Sequence, residues 1–574
     1  MQRSVDGTTF LRIGKSSGLS GMGAGVDQRV AGHDGMVVEK TIACAIVLWQ
    51  FGGMKQAQDS VCLAAESPLD LASRLGEEGC AALAADYRSS MGQFLTPPKV
   101  ATLLARMFEP AEGDVRLLDL GAGVGTLAAA FVEEVLQREP RPRSLHLTAW
   151  ELEREFVGRL GQVLERCAEA ARAAGVPTAY EIKCGDALKE GAALVDEDDL
   201  FRGVRHSHGF THAIMNPPYR KINANSEARR VLRRTGLETS NLYTGFLWLA
   251  ARLLVPEGQM VAITPRSFCN GPYFLAFRQR FFECMALDRL HVFERRDTLF
   301  AEDDVLQENL IMCARRSGKR RASVILSSSD GPPGGATRSR RVPYPRVIDP
   351  TDLSRVVHLA LEVADDDVRA AVMGMPASTG DLGIEVSTGR VVDFRARGFL
   401  RENPGEQTVP LIYPSHFNGG GVHWPCSGSR KPNAVLAVPG TQELLVPNGV
   451  YVLVKRFSAK EERRRIVAAV FRPERNLAGF ASVGFENHLN YFHGKGRALD
   501  GNLAEGLAVY LNSTVVDSYF RQFSGHTQVN ATDLRSLKYP SRTQLCLLAE
   551  SIGPGRSQAA IDAAVDAMIR KSRP

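Results

Sequence analysis

The stretch "LLDLGAGVGTLAAAF" at residues 117–131 joins an apolar run to an alanine-rich run through three glycines at alternate positions. Its pattern predicts a buried strand, a tight turn and a helix, with Gly121, Gly123 and Gly125 letting backbone approach a ligand closely. By itself the segment fits a dinucleotide fold or a plain tight turn. The spacing is G-x-G-x-G rather than G-x-G-x-x-G, so the usual third glycine of a pyrophosphate site is missing.

Working outward, strand-like and helix-like segments alternate. "TPPKVATLLARMF" (96–108) sets Val100, Leu103, Leu104, Met107 and Phe108 on one face, with prolines in the first turn, and predicts an amphipathic helix. Strands are expected at 116–120, 145–150, 179–184 and 211–216, with helices starting at 126 and 152 between them. Beyond 216 a helix is expected at 241–254, a strand at 259–264, a helix at 273–285 and strands near 287–294 and 309–314. Continuous apolar strands separated by helices imply a doubly wound, Rossmann-like α/β sheet covered on both faces. Residues 315–380 carry "RRSGKRR" and "DGPPGGATRSRR" and are expected to be a basic linker or excursion. From about 381 a mixed α/β domain with many Gly, Asn and Pro turns follows.

Bulk properties narrow the classes. The chain has 574 residues, enough for at least two domains, and 44% hydrophobic and 23% charged residues, an ordinary globular composition. Its net charge of +6 comes from the last third, where residues 381–574 hold 24 Lys+Arg against 17 Asp+Glu. A polyanion partner or a merely basic surface would explain this. The ten cysteines are scattered with no CxxC pair, which argues for reduced thiols, a cytoplasmic location and no structural metal site. "TIACAIVLWQFGGM" from residue 41 has about a dozen apolar residues, short of the roughly 20 that a spanning helix needs. No membrane association is expected. Residues 1–53 are Gly- and Ser-rich with weak periodicity and are expected to be disordered or not translated, with Met54 a candidate start.

Acidic residues follow two of the expected strands. "TAWELE" places Glu151 where ribose hydroxyls would need an acceptor, and "KCGDAL" places Asp186 where an adenine amine would. Singly, either acid is an ordinary solvated turn residue; in register with the glycine turn, they favour an adenosine-bearing cofactor at the strand ends. The fourth strand stops at "NPPY" (216–219), because two prolines cannot continue a ladder. An exocyclic amine conjugated to a ring is a poor nucleophile. The Asn216 side-chain carbonyl and the Pro217 main-chain carbonyl, stiffened by Pro218, would draw it toward sp³ geometry, and Tyr219 would stack on the ring. The bland alternative is a proline-rich turn closing a strand.

In combination these segments resemble the gamma-class N6-adenine DNA methyltransferases, of which the Taq modification methylase is the example. The family order is a "TP" motif, the glycine-rich motif, NPPY and a target-recognition domain. Here "GQFLTPPKVA" (92–101), "DLGAGVG" (119–125) and "NPPY" occur in that order, and 241–258 resembles the helix that follows. The resemblance covers roughly 88–314 and implies a class I methyltransferase domain, over 54–314, that uses S-adenosyl-L-methionine. It implies that Thr96, Asp119, Gly121, Gly123, Gly125, Glu151 and Asp186 hold that cofactor. Asn216, Pro217, Pro218 and Tyr219 would act on an extruded adenine, with Phe300 packing on it.

The phrases at 387–395, 487–493 and 511–541 look like the recognition region of Pst-type modification methylases, with His526, Gln528 and Asn530 as candidate DNA contacts or turn-formers. Double-stranded DNA, a companion restriction endonuclease and a monomeric enzyme are the implied partners and state. An RNA or protein-glutamine methyltransferase, or a non-catalytic DNA-binding specificity subunit, are the rival readings.

Overall fold

The computed structural model describes residues 66–82, 95–200, 209–294, 308–329, 337–525, 527–552 and 557–572. Residues 1–53, Phe300 and His526 lie outside the described residues. The alternation expected from sequence is present. Nine strands form one sheet: β1 (Asp114–Leu120), β2 (Ser144–Glu151), β3 (Thr178–Cys184), β4 (Phe210–Met215), β5 (Leu254–Pro265), β6 (Met285–Phe293), β7 (Asn309–Arg316), β8 (Ser323–Ser329) and β9 (Thr337–Pro343). The order is β3-β2-β1-β4-β5-β7-β6-β8-β9. β1 to β5 pair in parallel, and β7 runs antiparallel between β5 and β6. Strand order therefore reverses between β1 and β4, the point at which a crevice opens beyond the strand ends.

Both faces of the sheet are apolar because successive residues of a strand point to opposite sides. Leu118 and Met215 enter one core with Phe246 and Leu247, while their neighbours Leu117 and Ile214 enter the other with Leu147 and Val261. Each such side chain, fully buried, contributes about 1.5–3 kcal/mol. The helix Pro98–Arg106 buries Val100 and Leu104 as its periodicity requires.

Residues 315–350 depart from expectation. They are not a linker: β8 pairs in parallel with β6, and β9 returns antiparallel to β8, so the basic segment extends the nine-stranded sheet. Its sequence hid this because β9, "TRSRRVP", is an edge strand mostly exposed to solvent, where arginines take the place of an apolar alternation.

Beyond residue 380 the chain forms two smaller sheets, one of six strands and one of five, followed by helices at Gly501–Leu511, Thr514–Phe523, Ala531–Ser536, Arg542–Ser551 and Gln558–Ser572. These helices share a core with the strand Tyr451–Lys455 through Val452, Val454, Leu507 and Phe520. A polar joint ties this part to the end of β5. Arg266 donates to the carbonyls of Arg521 (2.6 Å) and Gln522 (3.2 Å) and pairs with Glu308 at 3.2 Å, with both partners almost fully buried.

The turn after β1 sets the strictest local demand. Gly125 has φ +90°, and a Cβ there would stand 2.9 Å from Leu160 Cδ1 and 3.3 Å from Val163 Cγ1. We expect Gly125→Ala to lower stability by about 1–3 kcal/mol through strain and overpacking. Gly113→Ala, with nothing among the described residues within 4 Å of the new Cβ, should be near neutral; urea unfolding midpoints of the two variants check this.

Candidate active site

Four parallel strands end side by side. Leu120 pairs with Trp150, Glu151 with Cys184, and Leu118 with Ala213. The residues just beyond these ends thus share one edge. The amides of Gly121 and Ala122 both donate to the Trp150 carbonyl at 2.9 Å, which folds the turn back onto β2. Gly121 (φ +81°) and Gly123 (φ +58°) adopt left-handed backbone that a side chain would strain. Glu151, 4% exposed, accepts from Gly123 N and Glu153 N, each at 2.7 Å, through its two oxygens. Burial raises its carboxyl above the usual range, and these amides oppose that rise. Asp186 accepts from Leu188 N at 3.0 Å at the head of its helix.

One cavity gathers Gly121, Gly123, Glu151, Asp186, Asn216 and Pro218. Its apolar walls are Leu95, Leu152, Phe156, Leu188 and Phe246, none of which sequence reasoning singled out. The available signal was position: Leu152 follows the strand-end acid directly, and Leu188 follows Asp186 by two residues. S-adenosyl-L-methionine fits this donor set. Glycine backbone leaves room for its methionine portion, Glu151 could accept from ribose hydroxyls, Asp186 could accept from the adenine amine, and the apolar walls could enclose the purine.

Thr96 and Asn216, 120 positions apart, meet here: Asn216 Nδ2 donates to Thr96 Oγ1 at 3.2 Å, which turns the amide oxygen away from Thr96. Gly125 does not line the cavity; its lack of a side chain admits Leu160 and Val163. Asp119 lies beneath the turn, 1% exposed, with neither carboxylate oxygen hydrogen-bonded among the described residues. Burial, helped by the nearby Glu151, pushes its carboxyl up to about 8.

On the other side of NPPY a second, larger cleft of about 1100 Å³ opens. Tyr219, Tyr243, Tyr273 and Phe274 line one side, and Arg456 and Gln528 from the C-terminal part line another. Tyr219 is pinned: its hydroxyl donates to the Ile263 carbonyl at 3.2 Å, and its ring meets Tyr243 edge-on at 6.2 Å. Desolvation holds the phenol well above its ordinary range, so it stays neutral. Arg220 lines both cavities. NPPY is therefore the partition between them.

The C-terminal candidates divide. Asn530 caps the helix Ala531–Ser536 through Asp533 Oδ2, with its backbone N at 2.9 Å and Nδ2 at 3.1 Å, which is the turn-forming role. Gln528 lines the cleft, and so does Asn530. Within 487–493, Asn490 is fully buried and donates to Val529 O at 2.7 Å, and His493 Nε2 bonds Ser387 Oγ at 2.9 Å. Arg456 was missed. Its signal was the basic–aromatic "KRF" at a strand end.

Comparison with known proteins gives the family. The model of the Eco57I restriction-modification methylase family matches residues 169–300. The Type II methyltransferase M.PstI of Providencia stuartii is 40% identical over 485 residues, which cover 84% of this chain and 93% of the relative. The Type II methyltransferase M.BsuBI of Bacillus subtilis is 41% identical, covering 80% and 90% respectively. Among solved structures, the type IIG restriction endonuclease BpuSI aligns with a TM-score of 0.42 at 14% identity, over 88% of this chain and 68% of that one. The fold and the strand-end cavity define an S-adenosyl-L-methionine-dependent methyltransferase of class I. Within that class, the chain belongs to the restriction-modification DNA methyltransferases, alongside the Type II enzymes.

Asp119 gives a pH signature. Its folded pKa is raised, so its contribution is fully present below the unfolded value near 4 and is lost as pH rises through about 8. We expect stability to fall over that window and Asp119→Asn to flatten the fall, as read from urea midpoints at pH 5, 6, 7 and 8.5.

Proposed function

We propose that the enzyme methylates the N6 amine of an adenine within a specific double-stranded DNA site, on a base extruded from the helix. The observation that carries this reading is the partition: Asn216 faces the cofactor cavity and Tyr219 the open cleft, so a planar base resting on Tyr219 presents its edge to Asn216. A stacked and paired adenine hides N6, so the base must leave the duplex at a cost of a few kcal/mol. Stacking on Tyr219, about 1–3 kcal/mol per base, offsets that cost. The pinned hydroxyl keeps the ring from turning as the base arrives.

The Asn216 amide oxygen and the Pro217 carbonyl accept from the two N6 hydrogens. This draws the nitrogen toward sp³ geometry and directs its lone pair into the cofactor cavity. The Thr96 contact keeps the amide oxygen, not its nitrogen, toward the amine. S-adenosyl-L-methionine supplies an electrophilic sulfonium methyl there. Gly121 and Gly123 border its methionine portion, while Glu151 holds the ribose and Asp186 the adenine. Orientation and neutral acceptors suffice, and no covalent enzyme intermediate is required. Among the described residues no cysteine lines either cavity, which favours an amine over a cytosine ring carbon as the acceptor.

We assign residues 381–574 to target recognition, where the positive charge excess would meet phosphate. The catalytic domain then runs to Pro343, the end of the sheet, rather than to residue 314. In the cell the enzyme would protect sites cut by a companion restriction endonuclease.

Genomic DNA from a host expressing the chain, sequenced by single-molecule kinetics, is expected to carry methylated adenines in one short motif. DNA without them would overturn the reading, and labelled methyl in RNA or protein instead would support its rivals. Asn216→Ala should lose at least about 10²-fold in transfer rate with cofactor affinity unchanged by calorimetry. Tyr219→Ala should lose less.

A further inference from the structure

We infer that Arg456 and Gln528 form a base-reading pair: a fixed fork of donors that recognises the O6/N7 acceptor edge of a guanine close to the extruded adenine. The inference rests on the adenine-methylation reading of the same cleft. Arg456 directly follows the strand Tyr451–Lys455, and its main chain is clamped on both sides. Its amide donates to the His488 carbonyl at 2.8 Å, and its carbonyl accepts from Val529 N at 2.7 Å. The side chain is oriented by longer contacts. Nη1 donates to the Asn487 carbonyl at 3.1 Å, Nη2 donates to Gln528 Oε1 at 3.5 Å, and the guanidinium carbon lies 5.7 Å from the centre of the Phe457 ring. Gln528 is fixed in turn by an antiparallel backbone bridge to Phe457.

This arrangement determines what the pair can recognise. A guanidinium has five N–H donors and no acceptor; two are engaged within the protein, and the remainder stay on a plane that Asn487, Gln528 and Phe457 orient. Gln528 turns its oxygen to Arg456, which directs its amide nitrogen the other way. The guanidinium therefore offers donors only, and Gln528 presents its amide nitrogen beside it. In the major groove guanine alone presents two adjacent acceptors, and an arginine fork meets them both. An arginine fork can also clasp a phosphate, but that contact does not call for a guanidinium plane fixed by a neighbouring amide and ring. The anchoring of Arg456 has a purpose when a direction must be read. Both residues line the cleft that also contains Tyr219, so DNA whose adenine rests on Tyr219 passes them.

The test uses the full-length enzyme, the methylated motif found in the host genome and every single-base variant of it as short duplexes. Arg456→Lys keeps the charge and removes the fork. It is expected to lower kcat/KM on the cognate duplex about tenfold or more, and to bring discrimination at one G·C position toward unity while the other positions stay selective. Gln528→Ala should relax the same position less, and it decides the matter if Arg456→Lys melts early. Cofactor affinity should match the unaltered enzyme in both variants. A uniform loss on all duplexes, with the salt slope of binding reduced by about one, would make Arg456 a phosphate contact and overturn the inference. Relaxation at an A·T position, or unchanged discrimination in both variants, would overturn it as well. Absence of methylated adenine from the unaltered enzyme's DNA sinks the underlying reading, and this inference with it.

Discussion

The abrupt end of β4 is the constraint around which the rest is arranged. A central parallel strand has neighbours on both sides, and consecutive prolines end it abruptly by removing two ladder donors. Because β4 adjoins β1 at the point where strand order reverses, its end falls into the crevice rather than onto a covered surface. The residue before the prolines faces the cofactor side and the residue after them the cleft. One rigid step in the chain thus builds a wall with different chemistry on its two faces.

A wall is useful only if what faces it is held in place. The end of β5 provides that hold, because Arg266 reaches the carbonyls at the end of the helix Thr514–Phe523 while its charge is met by buried Glu308. Breaking such a pair costs about 3–5 kcal/mol, since the remaining ion is stranded in a low dielectric. Arg278 adds a second tie, donating to the carbonyls of Phe268, Gly271 and Ser354. Further main-chain bonds, Val357 N to Cys269 O and Leu359 N to Gln522 O, make the join partly a matter of backbone. Tyr219 and Arg456 thereby belong to one continuous body.

Two features were read less well from sequence, for different physical reasons. The segment 315–350 looked like a linker because its glycines and arginines lack a period, yet β8 and β9 lengthen the sheet. An edge strand needs pairing on one side only, so alternation is a weak signal there. The polar residues of 487–493 and 526–530 looked alike as DNA contacts. Asn490 proves to be buried and tied to Val529, whereas Gln528 and Asn530 both reach the cleft, Asn530 while also capping a helix through Asp533. A buried amide must satisfy its hydrogen bonds within the protein, and composition does not say which amides are buried.

By itself, the sequence determined the doubly wound sheet, the glycine turn, the strand-end acids and the break at NPPY. These are local: apolar period, positive φ and missing donors act over a few neighbouring residues. Only the tertiary structure decided that Thr96 fixes the Asn216 amide, that Gly125 serves packing while Gly121 and Gly123 border the cavity, and that Arg456 shares a cleft with Tyr219. Those depend on contacts between residues tens to hundreds of positions apart, where the pairing is set by how whole layers pack and leaves no period in the chain to read.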